Sequence, residues 1–589
     1  MKNLRYLFFV AAALVCVSCS DFLDREPTSY ASAGFYKSEE AIKDGNAGVY
    51  NGIYMDGLGG FGYNLPYTTF FDHFTGLAGE RTQNTTIGAG SGLNPDNAAV
   101  LSLWNSLYST VARANGVIDG SKNYLDGLSD KAKQYVAEVK VLRDYAYYML
   151  IALYGNIPFF TAPVTVDEYD VERTDRAAVL DFILQDLEEA AALLPWRATD
   201  LGRVDKAFAL GLKARAALLG GSLNYAGKGA DYFRIAAAAA KEVIGQRALA
   251  TNFDDLFTLN GQAKDDVKNE TVFAFMYSKQ GTIKTHVIAF GQVSRNTGQT
   301  GRHPLMLLAD TYECIDGKRI DESPLYDPKH PQRNRDPRFN ATLWMHGDTV
   351  TVNNGTLVTQ VLEAYNAETY FRNNATGVWE LRNNADINSG AAWASFCNAG
   401  SGYLWAKYSK ETSENISSQS CNVPVMRYAE VLLTYAEAKI ELNELDQSVY
   451  DAINAVRNRS HMPSVSDDRK GNQQKMRQLV RRERKVELAL EGLHLIDMRR
   501  WGIGDLENGA PSYGLPTDDV RYEGMSDNDI PNFKKSDRHD LNDIASYDAY
   551  KHKLKLRDEN RTWNKKYELW PVPQLAKDRS PKLGQNEGY

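Results

Sequence analysis

Carboxylates are the most numerous residues with catalytic potential, with 75 Asp and Glu in a chain of 589 residues. Hydrolysis of a glycosidic bond needs two carboxyl groups at a set separation, and adjacent pairs occur at 254–255, 265–266 and 518–519. Charge clusters of this kind usually form solvated surface. The sequence contains no GxSxG, HExxH or phosphate-loop motif. We therefore predict that the protein is not an enzyme and keep a surface glycoside hydrolase only as an alternative.

Aromatic side chains are abundant, with 33 Tyr, 22 Phe and 9 Trp. A site for sugars combines flat apolar rings, which stack on the C–H faces of pyranose units, with a few polar groups that bond the hydroxyls. The stretches 61–104 and 365–405 offer this mixture. Although most single rings are expected to be buried, we predict that these stretches supply the ligand-binding residues: Tyr63, Tyr67, His73, Arg81, Asn84, Tyr370, Trp379 and Trp393.

The sequence gives little support to metal chemistry. Its nine histidines and the three cysteines after position 19 show no zinc-ligand spacing. The oxygen-rich segment 527–529 could hold calcium, but it lacks EF-hand spacing, so we predict no cofactor and leave a structural calcium ion open. Cys314, Cys397 and Cys421 could form at most one disulfide, with one thiol left over.

The N-terminal residues have the pattern of an export signal. Two basic residues within the first five precede an apolar run at 6–17, which is too short to span a bilayer. Ser18 supplies the small residue that lipoprotein cleavage requires, and Cys19 supplies the thiol for a diacylglycerol. We predict a lipoprotein signal peptide at 1–18 and lipid attachment at Cys19, with the acyl chains anchoring the mature chain to a membrane. The acidic chain, with a formal net charge of −8, argues against nucleic acid as a partner.

The elements that must position the ligand residues are mainly helices. Apolar residues recur at spacings of three and four, as in 139–153 and 180–194. The small residues of the stripe 207–221 would let a partner helix approach closely. Paired helices with small residues at their contacts favour tetratricopeptide-like packing. No clean 34-residue repeat is readable, so periodicity alone does not establish this packing.

Long irregular stretches separate these helices, at 56–104, 251–422 and 503–566. Alternating segments such as 271–277 and 349–361 predict short strands within them. Loops this long in a compact chain are usually functional.

The segment 481–502, with the sequence RRERKVELALEGLHLIDMRRWG, combines a charged helix, a glycine and a basic–aromatic tail. Leu479, Val486, Leu490 and Leu493 fall on one helical stripe. Charged residues fill the other faces, several with opposite sign at spacings of three or four. We interpret the segment as a structural helix whose charged face, like the arginines at 499–500, is solvated surface.

This segment closely resembles the C-terminal signature of the SusD/RagB family, surface lipoproteins that capture nutrients for an outer-membrane transporter. Further segments resemble motifs of that family in the same order along the chain: 20–24 (SDFLD), 142–158, 334–339 (NRDPRF), 426–430 (MRYAE), 567–574 (YELWPVPQ) and 581–589 (PKLGQNEGY). Because these matches run from one end of the mature chain to the other, the resemblance covers essentially all of it.

The resemblance implies a mostly α, SusD-like domain over 19–589, with a tetratricopeptide-type helix-pair scaffold, long irregular loops and a few short strands. The scaffold would comprise 36–246 and 425–500, with four helix pairs near 36–120, 131–194, 205–246 and 425–460. The loop-rich regions 56–104, 251–422 and 503–566 would lie on the ligand side.

The resemblance also implies a function. The protein would be lipid-anchored in the outer membrane and face the cell exterior, bind an oligosaccharide, and deliver it to a SusC-like TonB-dependent transporter. Capture of oligopeptides, as in RagB-like members, is the alternative cargo. A purely tetratricopeptide scaffold for protein assembly is a third hypothesis, and the long aromatic loops count against it.

Overall fold

The computed structural model describes thirteen segments of the chain: residues 35–54, 68–80, 92–278, 302–327, 331–345, 347–353, 355–362, 368–384, 401–415, 419–510, 512–514, 555–558 and 561–589. The predicted signal peptide, Cys19 and the acidic segment 527–529 lie outside these residues. Among the described residues, no helix is both long and apolar enough to cross a membrane.

Ten helices of eight or more residues dominate the described chain. They are α1 (Glu39–Ile53), α2 (Ala98–Ser121), α3 (Asp130–Tyr154), α4 (Arg176–Leu193), α5 (Lys206–Ser222), α6 (Gly229–Val243), α7 (Tyr428–Glu441), α8 (Gln447–Arg459), α9 (Gln473–Glu487) and α10 (His494–Trp501). Side chains of Ser, Asp or Asn cap the N-termini of seven of them, at Ser38, Asn97, Ser129, Asp175, Asp205, Asp446 and Asn472. Each cap accepts a hydrogen bond from an otherwise unpaired first-turn N–H group.

The helices pack in sequence order. Contacts join α1 to α2, α2 to α3, α3 to α4, α4 to α5 and α5 to α6, after which α6 packs against α7 and α7 against both α8 and α9. The helices from α1 to α8 thus form the four predicted pairs, and the prediction of a mostly α fold is confirmed. The helix α2 begins at Ala98, inside the stretch 56–104 that was predicted to be loop-rich, and it contains buried Trp104.

Small residues bring the middle helices together, as the stripe at 207–221 predicted. A Cβ atom added to Gly220 of α5 would lie 2.3 Å from Leu180 of α4 and 3.2 Å from Tyr232 of α6. A larger residue at position 220 would therefore displace side chains of both neighbouring helices.

The charged face of the 481–502 segment is buried, and the prediction that it is solvated surface was wrong. Every charged side chain from position 481 to position 491, together with Arg499 and Arg500, is at most 9% exposed. Opposite charges from other parts of the chain surround α9. Arg427 lies 3.0 Å from Glu487 and 2.7 Å from Glu491, and Arg338 lies 3.0 Å from Glu487. Charge periodicity shows which residues share a helix face, but not that distant segments bring counter-ions to that face.

A second buried cluster joins α10 to α7. Arg500 donates two hydrogen bonds of 2.6 Å to Glu437, one to each carboxylate oxygen, and Trp501 donates one of 2.7 Å to Glu437. Arg484 donates to Asp497 at 2.8 Å. The family-like signature therefore lies in the core, where ion pairs join it to the helix stack.

Short strands occupy the regions between the helices. The segments 271–277 and 349–361, predicted as strands, contain β2 (Thr271–Phe275), β5 (Thr349–Asn353) and β6 (Leu357–Val361). The largest described sheet has four antiparallel strands in the order β5–β6–β7–β8, with β7 at Glu368–Arg372 and β8 at Trp379–Asn383. The remaining strands form two-stranded sheets: β1 (Ala78–Glu80) with β3 (Arg302–Pro304), β2 with β10 (Val423–Arg427), β4 (Leu343–Met345) with β9 (Tyr403–Trp405), and β11 (Ser512–Gly514) with β12 (Lys555–Asp558).

Candidate ligand-binding surface

The β7–β8 hairpin carries two of the residues predicted to bind ligand, Tyr370 and Trp379. Tyr370 lies opposite Leu381, and Arg372 lies opposite Trp379. Because directly opposed residues of an antiparallel pair, and residues two apart on a strand, point to the same side, these four side chains share one face. We call this set, Tyr370, Arg372, Trp379 and Leu381, the exposed face.

The apolar residues of the exposed face are open to solvent. Tyr370 is 53% exposed, Trp379 42% and Leu381 51%. Leu357, which is also 51% exposed, begins the neighbouring strand β6 on the same side of the sheet. Clustered exposed apolar residues usually mark a binding surface, whereas single ones do not.

The turn between the two strands holds this face in place. The Asn373 side chain accepts hydrogen bonds from the backbone N–H groups of Ala375 and Thr376, at 3.0 and 3.2 Å. The Asn374 side chain donates to the backbone oxygen of Leu357 at 2.8 Å, which joins the turn to β6. Gly377 has a φ of +76°, a conformation that favours glycine. The rings are thus presented on an ordered hairpin.

The opposite side of the sheet provides its support. Val350 of β5 packs in a small apolar cluster with Trp344, Leu362, Leu404 and Ala406. Thr369 of β7 is buried and donates to the backbone oxygen of Val361 at 2.8 Å. One side of the sheet therefore faces the protein at β5, while the other carries the exposed face at β7 and β8.

The exposed face has the composition of a sugar site. Tyr370 and Trp379 supply flat apolar surfaces, and Arg372 supplies hydrogen-bond donors beside them. Leu381 was missed in the sequence analysis. Two features identify it: Leu381 is two residues from Trp379 on β8, so both point to the same side, and it lies opposite Tyr370 on β7.

Of the other predicted ligand residues, the structure describes His73, which is not part of this surface. His73 is 5% exposed and its ring lies 6.0 Å from that of Trp405, edge to face. The structure therefore places His73 in the packed interior. Tyr63, Tyr67, Arg81, Asn84 and Trp393 lie outside the described residues, and their roles stay predictions.

Two of the adjacent acid pairs occur in ordinary ionic or hydrogen-bonded surroundings. Asp254 lies 2.9 Å from Lys410, and Asp255 lies 2.6 Å from Lys264. The backbone N–H of Thr251 donates to Asp266 and lowers the pKa of that carboxyl, whereas a general acid needs a raised pKa. The pair at 518–519 lies outside the described residues.

Neither metal ligation nor a disulfide is found in the part of the chain that the structure describes. No group of three or more His, Cys, Asp or Glu side chains there could hold a metal ion. Cys314 and Cys421 are buried free thiols, and Cys397 lies outside the described residues. Burial raises the pKa of both thiols, which disfavours their reactive thiolate form.

Comparison with known proteins defines the class of this chain. The model of the SusD family matches residues 269–589, which is more than half of the chain. A second model, described as starch-binding associating with outer membrane, matches residues 21–218. The chain therefore belongs to the SusD family, as the motifs predicted.

Similar individual proteins span nearly the whole chain. The SusD-like protein P25 of Formosa agariphila is 25% identical over 527 residues, covering 85% of this chain and 90% of the relative. A SusD-like carbohydrate-binding protein of Bacteroides fragilis has a TM-score of 0.73 at 24% identity, covering 93% of this chain and all of the other. A laminarin-binding SusD-like protein has a TM-score of 0.56 at 20% identity, covering 94% of this chain and 100% of the other. These structures share its fold.

Proposed function

We propose that this protein is a non-catalytic, surface-attached lipoprotein that binds an oligosaccharide and delivers it to a SusC-like TonB-dependent transporter of the outer membrane. The observation that carries the proposal is the exposed face, on which Tyr370 and Trp379 stand together on an ordered hairpin of a SusD-family protein. Carbohydrate binding by the similar Bacteroides fragilis and laminarin-binding proteins supports the same class of ligand.

Attachment and transport complete the proposal. Lipid on Cys19 would hold the mature chain at the outer membrane, facing the cell exterior, within reach of a transporter in the same membrane. The helix stack would then dock over the transporter, and the loop-rich regions would hold the ligand. Replacement of Cys19 by Ala is expected to abolish incorporation of labelled fatty acid in a cell that processes bacterial lipoproteins.

An oligopeptide is the second candidate cargo, and one feature of the sheet favours it. The strand β8 lies at the edge of the four-stranded sheet, and all five of its residues are exposed. An extended peptide can add to an exposed edge by backbone hydrogen bonds.

Calorimetric titration of the soluble protein lacking residues 1–19 separates these cargoes. The titrants are a panel of neutral oligosaccharides and a pool of peptides. We expect saturable binding to an oligosaccharide and about fivefold weaker binding after Trp379→Ala, since stacking on a ring contributes on the order of 1 kcal/mol. Tyr169→Ala is the matched control, because Tyr169 is 40% exposed elsewhere on the surface. Saturable binding to peptides alone would refute the oligosaccharide proposal.

A further inference from the structure

Two arginines stand on opposite sides of the β7–β8 hairpin, and their surroundings differ. Arg372 belongs to the exposed face, where it lies directly opposite Trp379. Arg382 directly follows Leu381 on β8. Because successive residues of a strand point to opposite sides, Arg382 is on the other side of the sheet. The two arginines share one hairpin but not one environment.

Arg382 is neutralised by the protein itself. It donates to the Glu380 carboxylate from Nη2 at 2.6 Å and from Nε at 3.1 Å. Its Cζ atom also lies 5.7 Å from the centre of the Phe371 ring. Hydrogen bonds between a guanidinium and a carboxylate are among the stronger ones in proteins. The charge of Arg382 therefore needs no partner from outside the protein.

Arg372 lacks a partner of this kind. Within the part of the chain that the structure describes, its guanidinium makes no ion pair, hydrogen bond or ring contact. Among the residues of the four described strands, the only acid on the same side of the sheet is Glu368. Glu368 is four residues away on β7, which is about 13 Å along the strand. The exposed face therefore carries one guanidinium group without a counter-ion.

The groups nearest to this guanidinium are uncharged. Thr359 lies opposite Arg372 on the neighbouring strand β6, and its hydroxyl lies 2.9 Å from that of Thr351, to which it is hydrogen-bonded. The turn at 373–377 contains no charged residue. A Cβ atom added to Gly377 of this turn would lie 3.6 Å from Nη2 of Arg372. Neither the turn nor the neighbouring strand compensates the positive charge.

We propose that the exposed face binds an acidic oligosaccharide, and that Arg372 selects the carboxylate or sulfate ester group of this ligand. Directly opposed residues of an antiparallel pair are about 5 Å apart at Cβ, so Arg372 and Trp379 can contact the same sugar unit. The C–H face of that unit would stack on Trp379. The acidic group at the edge of the unit would accept hydrogen bonds from the planar guanidinium fork. The inference rests on the proposed function and adds to it the charge of the cargo.

Pairs of oligosaccharides that differ in one group test this inference by calorimetric titration. Each pair compares a neutral glucose or galactose oligosaccharide with the same molecule carrying one uronate carboxylate or one sulfate ester. We expect the acidic member of at least one pair to bind the soluble protein lacking residues 1–19 about fivefold more tightly. The preference should shrink at high salt, because screening weakens the attraction. Equal or weaker binding of the acidic member in every pair would overturn the inference.

Substitution of each arginine locates the preference. Arg372→Gln removes the unpaired charge and should lower the ratio of acidic to neutral affinity from about five to about one. Arg372→Lys keeps the charge but loses the planar fork, so it should retain part of the preference.

Arg382→Gln is the matched control, because it makes the same change of charge on the same hairpin at an arginine that Glu380 already neutralises. It should keep the full preference. A ratio that Arg372→Gln leaves unchanged, or that Arg382→Gln lowers equally, would overturn the role of Arg372.

Failure of this inference can be told from failure of the proposed function. Neutral and acidic oligosaccharides that bind equally well, and that both lose affinity after Trp379→Ala, would refute only the selection by Arg372. Absence of oligosaccharide binding, or binding that Trp379→Ala does not weaken, would refute the proposed site and the charge preference together.

Discussion

Buried charges hold the signature segment in place, and several of them, such as Glu487, have partners from distant parts of the chain. Burial alone would raise the pKa of Glu487, but the guanidinium groups of Arg459, Arg427 and Arg338 lower it below its usual range. Breaking a buried ion pair by removing one partner is strongly destabilising, because the other charge stays buried without compensation. We therefore expect substitutions of the charged residues in the segment 481–502, which identifies the family, to destabilise the protein.

The stabilisation by buried ion pairs can be tested at Glu507 through the pH dependence of unfolding. Burial would raise its pKa, but His494 and Lys485 lower it to about 2 from the ordinary 4.5. Because the folded pKa is below the unfolded one, the carboxylate stabilises the protein fully above about pH 4.5 and loses that effect as the pH falls towards 2. Glu507→Gln is thus expected to cost about 3 kcal/mol at pH 7, and urea unfolding should show this deficit shrinking below pH 4.5.

The control for this experiment is Glu188→Gln. Glu188 is in a surface ion pair with Lys213, where its side chain is 57% exposed, and such pairs contribute little. Its loss should change the free energy of unfolding by less than about 0.5 kcal/mol at any pH. If the deficit of Glu507→Gln were the same at pH 3 and pH 7, the proposed charge stabilisation would be wrong.

At the scale of elements, the helices could be predicted and their charged contacts could not. Helices α3 to α6 follow apolar repeats of three and four, which directly report burial of one face. The strand at 349–353 alternates between exposed and buried residues, as its sequence pattern predicts for a half-buried sheet, whereas the strand at 271–275 is buried along almost its whole length. In α9 the charged residues have the same periodicity as a solvated face. That face is buried because Glu313, Glu437 and Arg427, from distant parts of the chain, pair with its charges.

The close packing of α5 predicts an unusual response to a helix-favouring substitution. Replacing glycine by alanine inside a helix normally stabilises it by about 0.5–1 kcal/mol. At Gly220 the new Cβ would meet fully buried Leu180 and the ring of Tyr232, so we expect Gly220→Ala to destabilise the protein by about 1–3 kcal/mol. Thermal unfolding followed by circular dichroism measures the change.

Gly116 of α2 supplies the matched control, because a Cβ added there would meet nothing within 4 Å. Gly116→Ala should be neutral or raise stability by up to about 1 kcal/mol. Stabilisation by both substitutions would show that α5 has room for a methyl group.

At the scale of the whole molecule, one contiguous cluster of buried apolar residues runs from Ile42 to Leu583. Two family models match separate parts of the chain, at 21–218 and 269–589, but the core does not divide between them. Different family-like motifs occur along the whole sequence, from 20–24 to 581–589, and together they predicted this fold. The ligand residues were harder to predict, since an aromatic side chain looks the same in sequence whether it is buried like Trp405 or exposed like Trp379.

Trp570 tests whether this core behaves as one unit. It is fully buried, with its ring about 6 Å from those of Phe71, Phe74 and Tyr154, and its backbone N–H donates to the backbone oxygen of Leu153 at 2.6 Å. Trp570→Ala should cost about 3–5 kcal/mol. Since the C-terminal segment and the helix stack share one core, far-ultraviolet and near-ultraviolet circular dichroism should show the same lowered unfolding midpoint.

Leu575→Ala, at a site 41% exposed in the same segment, should leave that midpoint nearly unchanged. A lowered near-ultraviolet midpoint with an unaltered helical one would mean that the C-terminal segment unfolds separately from the helices.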